Sequence, residues 1–168
     1  MTFNEIITEV MIDIDERMTD DEVLNKVKRY INRGYKELAK REGLEKVKTM
    51  QASEGKIKKP SDSIEIIDVK FENNPIQFSV EGNYIVTKAG DNEVDIRYCY
   101  LPESLEDLED ETITNSANDE FILNYAKWLF FLTEDQDTLA RTYKNEYESM
   151  QLVINPREYK IVDVYGVM

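Results

Sequence analysis

No histidine occurs in the 168 residues, and cysteine occurs once, as Cys99. The first absence removes the side chain most often used as a general base, the histidine-dependent nucleophile pairs and most zinc sites. The second excludes an intramolecular disulfide framework and fits a reducing compartment. Glycine, at six, and proline, at four, are as sparse as a globular chain allows, which rules out low-complexity and fibrous classes. Neither a Walker phosphate loop nor a Gly-x-Gly-x-x-Gly stretch is present. Asp91-Asn92-Glu93 lacks the spacing of a calcium loop and reads as a turn. The longest apolar cluster, around Trp128 to Leu132, falls far short of the ~20 residues a membrane span needs. Met1-Thr-Phe-Asn-Glu5 has no basic start of a signal peptide. These features predict one soluble domain, made in a cytoplasm and attached to no membrane.

Charge is plentiful but lopsided. Acidic side chains outnumber basic ones 35 to 21, a net of −14. That balance opposes wrapping nucleic acid, whose affinity comes from neutralising phosphates. Residues 21–60 run the other way, with a surplus of six positive charges, so the remainder carries twenty negative ones. Lys26, Lys28, Arg29, Arg33, Lys36 and Lys40 supply half of the basic side chains there and read as a solvated helix face with pairs such as Arg33–Glu37. The sharpest acidic run, Glu103, Glu106, Asp107, Glu109, Asp110 and Glu111, reads as a solvated loop.

Apolar spacing predicts helices over 3–17, 21–42, 117–132 and 134–152. Phe3, Ile6, Ile7, Val10, Met11 and Ile14 form one stripe; Val23, Leu24, Val27, Ile31, Tyr35 and Leu38 form a second. Thr19-Asp-Asp-Glu22 has the form of a capping box, and Gly43 that of a helix C-terminal glycine. Residues 117–132 are apolar around most of the circumference, as in the middle of a bundle. Thr133-Glu-Asp-Gln136 is a second capping-box pattern, followed by the stripe Leu139, Ala140, Tyr143, Tyr147 and Met150. Tyr30, Tyr35, Tyr143 and Tyr147 are candidates for core or subunit-interface packing.

Residues 46–101 have a different texture. Short β-rich runs at 47–52, 64–71, 76–80, 84–87 and 94–101 alternate with Pro-, Asn- and Gly-bearing turns. Val94, Ile96, Tyr98 and Tyr100 share one face, whereas Asp95, Arg97 and Cys99 share the other. The apolar parity of 64–71 switches between Ile66 and Ile67, the mark of a bulge or a strand buried on both sides. The expected class is therefore α+β: a bundle of about four helices with a small antiparallel β-meander inserted between the second and third. A single domain spans 1–154, and 155–168 follow as an extended tail, because Asn155-Pro156 should stop the last helix. Tyr159, Ile161, Val162, Val164, Tyr165 and Val167 make that tail unusually apolar for a terminus. It pairs either with the chain's own meander or with another protein.

The motifs, taken in order, resemble the head–tail connector, or adaptor, proteins of tailed double-stranded-DNA bacteriophages. Val27-Lys-Arg-Tyr-Ile-Asn-Arg-Gly-Tyr-Lys-Glu-Leu-Ala-Lys-Arg41 looks like that family's helix of the form I-N-x-(G/A)-Y-x-E-(I/L)-A. Lys59-Pro-Ser-Asp-Ser-Ile-Glu-Ile-Ile-Asp-Val69 is similar to its strand entry. Tyr98-Cys-Tyr-Leu-Pro-Glu-Ser-Leu105 is similar to its strand exit ahead of an acidic loop. Residues 124–147 look like its closing helix pair. The resemblance spans Asn4 to Met150. It implies a structural protein of the virion, without enzymatic activity or cofactor. Such a protein forms a homo-oligomeric, dodecameric ring beneath the portal protein at the capsid–tail junction. Downstream tail proteins would dock on it, and genomic double-stranded DNA would pass through without specific binding. By position and apolar character, residues 157–168 would dock on the portal. Two other readings remain open: a carboxylate-based glycoside or peptidoglycan hydrolase of the virion, and a nucleic-acid-binding module using Lys26–Lys59.

Overall fold

The computed structural model describes residues 1–14 and 20–154. The order of elements is helix, helix, strands, helix, helix. Helix α1 (Phe3–Asp13) and helix α2 (Asp21–Glu42) come first. Strands β1 (Glu45–Gln51), β2 (Lys56–Lys58), β3 (Ser63–Phe71), β4 (Asn74–Pro75), β5 (Phe78–Glu81), β6 (Tyr84–Thr87) and β7 (Glu93–Tyr100) follow. A 3-10 turn (Ser116–Asn118) then leads into α3 (Asp119–Thr133), and α4 (Asp137–Ser149) closes the bundle.

Both N-terminal stripes are buried as their spacing requires. Phe3, Ile6, Ile7, Val10 and Met11 of α1 share one core with Val27, Ile31, Tyr35 and Leu38 of α2 and Phe121, Ile122, Ala126, Phe130 and Phe131 of α3. Helix α1 starts on a capping box of Thr2 and Glu5. The acidic loop after β7 closes over that end: Phe3 N–H donates to Asp110 O and Asn4 N–H to Leu108 O. Negative charge there complements the positive end of the helix dipole. Gly34 lets α3 approach α2, since a Cβ on it would meet Tyr125 at 3.2 Å and the Ile122 carbonyl at 3.3 Å. Gly43 ends α2 in the left-handed region, with φ of 65°.

Four local expectations need correction. The N-cap of α2 is Asp20, whose carboxylate accepts from Glu22 and Val23 N–H; Thr19 lies outside the described residues. The second capping box does not form, because α3 runs on through Thr133 and that hydroxyl donates to Phe130 O. Helix α4 begins only at Asp137, without a side-chain cap, and ends at Ser149. Leu139, expected on its buried side, is 41% exposed, since α4 packs chiefly on α3 and buries a narrow stripe, Ala140 and Tyr147.

The strands are antiparallel and form two sheets, in the orders β1-β7-β3-β4 and β2-β6-β5. The first and last long strands, β1 and β7, are direct neighbours. Between them β3 carries the bulge: Ile66 pairs with Tyr98 and Asp68 with Arg97, leaving Ile67 as the extra residue. Val94, Ile96 and Tyr98 face a core shared with Ala52, Ile57, Val69, Ile85 and Ala89. On the other face Cys99 is buried against the Gly43 carbonyl, where the sheet meets the end of α2.

Candidate functional site

A groove of about 760 Å³ lies where the bundle meets the four-stranded sheet. Its walls come from Tyr35 of α2, Lys46, Val47 and Lys48 of β1, Tyr98 and Tyr100 of β7, and the acidic loop with Asp110 and Ile113. Two α2 side chains hold that loop in place. Asn32 donates from Nδ2 to Leu105 O at 3.0 Å and accepts from Leu105 N–H at 2.7 Å, a two-point clamp. The Tyr35 hydroxyl accepts from Ile113 N–H at 3.2 Å. Further along, the Glu42 carboxylate accepts from Asn115 N–H and from Asn118 Nδ2. Within the Ile31-Asn-Arg-Gly-Tyr35 stretch, Ile31 therefore fills the core, Asn32 clamps the loop, Gly34 admits α3 and Tyr35 anchors the far side of the loop.

The groove's floor holds an ion pair. Lys46 Nζ lies 2.5 Å from Asp62 Oδ2 and 4.3 Å from the centre of the Tyr100 ring. The Asp62 bond raises the Lys46 ammonium above its ordinary value. Burial pushes the Asp62 carboxyl up, but the bonds and charge of Lys46 outweigh it and leave the group below its ordinary value. Burial raises the phenols of Tyr35 and Tyr98. Each of these shifts holds a group in the form it already has, Lys46 and Asp62 charged and the two phenols protonated. General acid–base catalysis draws on groups shifted the opposite way. What the groove offers is shape, an open strand edge and a few fixed charges. Among the described residues no three carboxylates or thiols converge as a metal site, and no helix is long and apolar enough to cross a membrane.

The basic residues of α2 surround a second, shallower trough of about 470 Å³, lined by Lys28, Arg29, Asn32, Arg33, Lys36 and Ser104. Glu37 does not take Arg33 as expected; it takes Arg41 at 3.3 Å and Lys40 at 3.9 Å, one turn further on. Lys36 donates to Ser104 Oγ at 2.7 Å. Lys26 is bridged to Glu134 at the α3–α4 turn.

Of the four candidate interface tyrosines, three lie within the chain's own bundle. Tyr147 is 4% exposed, with its ring 5.4 Å from Phe121, 5.1 Å from Tyr125 and 5.3 Å from Trp128. Burial, with Glu148 beside it, pushes its phenol up to about 12. Tyr35 and Tyr30 are likewise buried, and the Tyr30 hydroxyl donates to Thr133 Oγ1. Tyr143 is half-buried and stacks on Phe131 at 5.5 Å. The candidate docking residues Tyr159, Ile161, Val162, Val164, Tyr165 and Val167 lie outside the described residues.

Sequence reasoning passed over Lys127. It is buried in the bundle, bridged to Asp13 and placed 5.4 Å from the centre of the Tyr143 ring. A lone lysine in an apolar helix carries no pattern; only its position on a face buried all round could have flagged it. The large apolar residues at least half exposed among the described residues are Ile12, Val47, Tyr84, Ile113, Val153 and Ile154. No protein-family model matches the chain, and no curated protein is detectably similar to it in sequence.

Proposed function

We propose that this chain is a structural subunit of a tailed-phage virion, an adaptor that joins the portal to the tail as a ring of like copies. The observation that carries the reading is the architecture: a helix pair, an antiparallel β insertion, then an aromatic-rich helix pair. The same order is implied by the resemblance of residues 4–150 to adaptor proteins. The charge supports it as well. A chain with a net of −14 repels a polyanion sliding past it and offers little to hold it. Ile12, Leu132 and Leu139, exposed near the ends of α1, α3 and α4, are apolar surface available to a neighbouring copy. The apolar stretch 157–168 is the segment proposed to dock on the portal.

The direct test mixes the purified protein with intact portal rings of its own phage and images them by negative stain. An added ring at one end of the portal is expected, and its loss on deleting residues 157–168. Portals that stay bare with the unmodified chain would end the reading. The trough of Lys28, Arg29, Arg33 and Lys36 favours one competing reading, a nucleic-acid-binding module. Gel shifts at low salt that vanish on changing Lys28, Arg29 and Arg33 to Glu would favour it; no shift rejects it.

A further inference from the structure

The four-stranded sheet has an open edge. Among the described residues, strand β1 pairs with β7 on one side and has no strand on the other. In an antiparallel ladder, alternate residues turn both backbone groups toward the partner. Tyr100 N–H donating to Leu44 O, and Ala52 N–H to Asn92 O, set the phase of that alternation. Lys46, Lys48 and Met50 therefore bond β7, whereas Val47 and Thr49 aim N–H and C=O outward. Nothing among the described residues pairs with those outward groups. The Val47 side chain is 62% exposed beside them. Such an edge is a template for another strand unless lysine, proline or a covering element guards it. Of the two lysines beside Val47, Asp62 and the Tyr100 ring hold Lys46 on the face of the sheet, which leaves Lys48 as the one guard.

The chain's own continuation leaves from the same place. Val153 N–H donates to Asn118 Oδ1, and Val153 O accepts from Asn118 Nδ2. That Nδ2 also donates to Glu42, three residues ahead of β1. Val153 is thus tied through Asn118 to the residue three positions ahead of β1, and the exposed Ile113 lines the same groove as Val47. Residues 155–158 as extended chain reach about 13 Å. Beyond them, Tyr159, Ile161, Val162, Val164, Tyr165 and Val167 make six of nine residues β-branched or aromatic, the composition that favours a strand.

We propose that residues 159–165 add to the sheet as one more strand along the open edge of β1, within the same chain. Val47 and Thr49 supply the backbone bonds, and the added strand covers Val47 and Ile113. The exit point selects the occupant: a tethered strand needs only a short linker, whereas one from a second copy must be recruited from solution. This inference concerns the unassembled chain and stands or falls independently of the adaptor reading.

Hydrogen exchange on the full-length protein tests it. Amides of 159–165 are expected to exchange at least roughly tenfold more slowly than in a free peptide of the same sequence, and those of Val47 and Thr49 to be protected with them. Val47→Pro removes an outward N–H while sparing the β7 ladder. It should return 159–165 to the free-peptide rate and leave the β7 amides unchanged. Val162→Pro should do the same and expose Thr49, which keeps the test intact if Val47→Pro does not fold. Free-peptide exchange in the unmodified chain would overturn the proposal, as would protection that survives both prolines. Protection that grows with protein concentration would assign the strand to a second copy and overturn the same-chain pairing. Bare portals in the imaging experiment leave these rates untouched, so the two proposals can fail separately.

Discussion

The bundle and the β insertion are held together by different means. The described bundle buries twenty apolar side chains in one cluster, drawn from all four helices and from Leu105 of the loop. The described insertion buries eight, two of them alanines, across two small sheets. It makes up the difference with local polar bonds. Asp91 Oδ1 accepts from Glu54 N–H, Asn92 Nδ2 donates to Ala89 O, and Gly55 donates its N–H to Gly90 O and accepts from Thr87 N–H. A large continuous core makes unfolding cooperative, whereas small cores braced by turns open piece by piece. The bundle is therefore the scaffold, and the insertion is the part with room to move.

The sharpest way to break that contrast is one deletion in each core. Phe121→Ala should cost about 3–5 kcal/mol and shift the whole denaturant transition. Ile85→Ala should cost about 2–4 kcal/mol, with exchange rising across β2, β5 and β6 while helical circular dichroism holds. Equal effects on both regions would mean that a single cooperative unit spans them.

A smaller effect is expected at the clamp between the regions. Asn32→Ala strands the N–H and C=O of Leu105, and two lost bonds to partly buried groups cost about 2 kcal/mol. Faster exchange through the acidic loop, with the bundle amides unchanged, is the expected signature. Loss of helix protection instead would place Asn32 in the scaffold.

Proton linkage reads out one group in each region. Asp62 titrates in the folded chain below its unfolded value. Its contribution is present above about pH 4 and is lost as pH falls through the lowered folded value. With the pair a third or more exposed, the effect stays below about 1 kcal/mol, and Lys46→Met should remove it. Tyr147 lies the other way. Its folded value of about 12 keeps its contribution whole below the ordinary phenol value, and raising the pH through about 12 removes it. Tyr147→Phe should flatten the alkaline limb of helix melting, with the acid limb unmoved. An acid limb that persists in Lys46→Met would point to other carboxylates.

Much of this division was legible beforehand because each region repeats a period. The stripes from Phe3 to Ile14 and from Val27 to Leu38 are buried as spaced, and the parity switch at Ile66–Ile67 is a bulge. What stayed hidden is non-local or aperiodic. Lys56-Ile-Lys58 has a single apolar residue and gives no alternation to read, yet Ile57 is fully buried in β2. The β1–β7 pairing joins residues about fifty apart, which no local pattern encodes. The Asn32 clamp and the Glu42 anchor use polar side chains on a helix, where solvent is the usual partner. At Thr133 the capping pattern was present in the sequence, but apolar burial carried α3 through it.

The smallest effect falls on the seam itself. Residues 113–115 stitch α2 to the groove, Ile113 through Tyr35 and Asn115 through Glu42. Between them Thr114 is buried, and its Oγ1 has no hydrogen-bond partner among the described residues. A hydroxyl desolvated without a bond costs about 1–3 kcal/mol, and valine fills the same space without that cost. Thr114→Val should therefore stabilise by about 0.5–1 kcal/mol, raising the melting temperature by roughly 1–4 °C for a domain of this size. Because both stitches stay in place, the bundle and the insertion should gain together by calorimetry. Destabilisation on removing the hydroxyl would mean that it has found a partner, and that the seam is a satisfied polar network in place of a strained join.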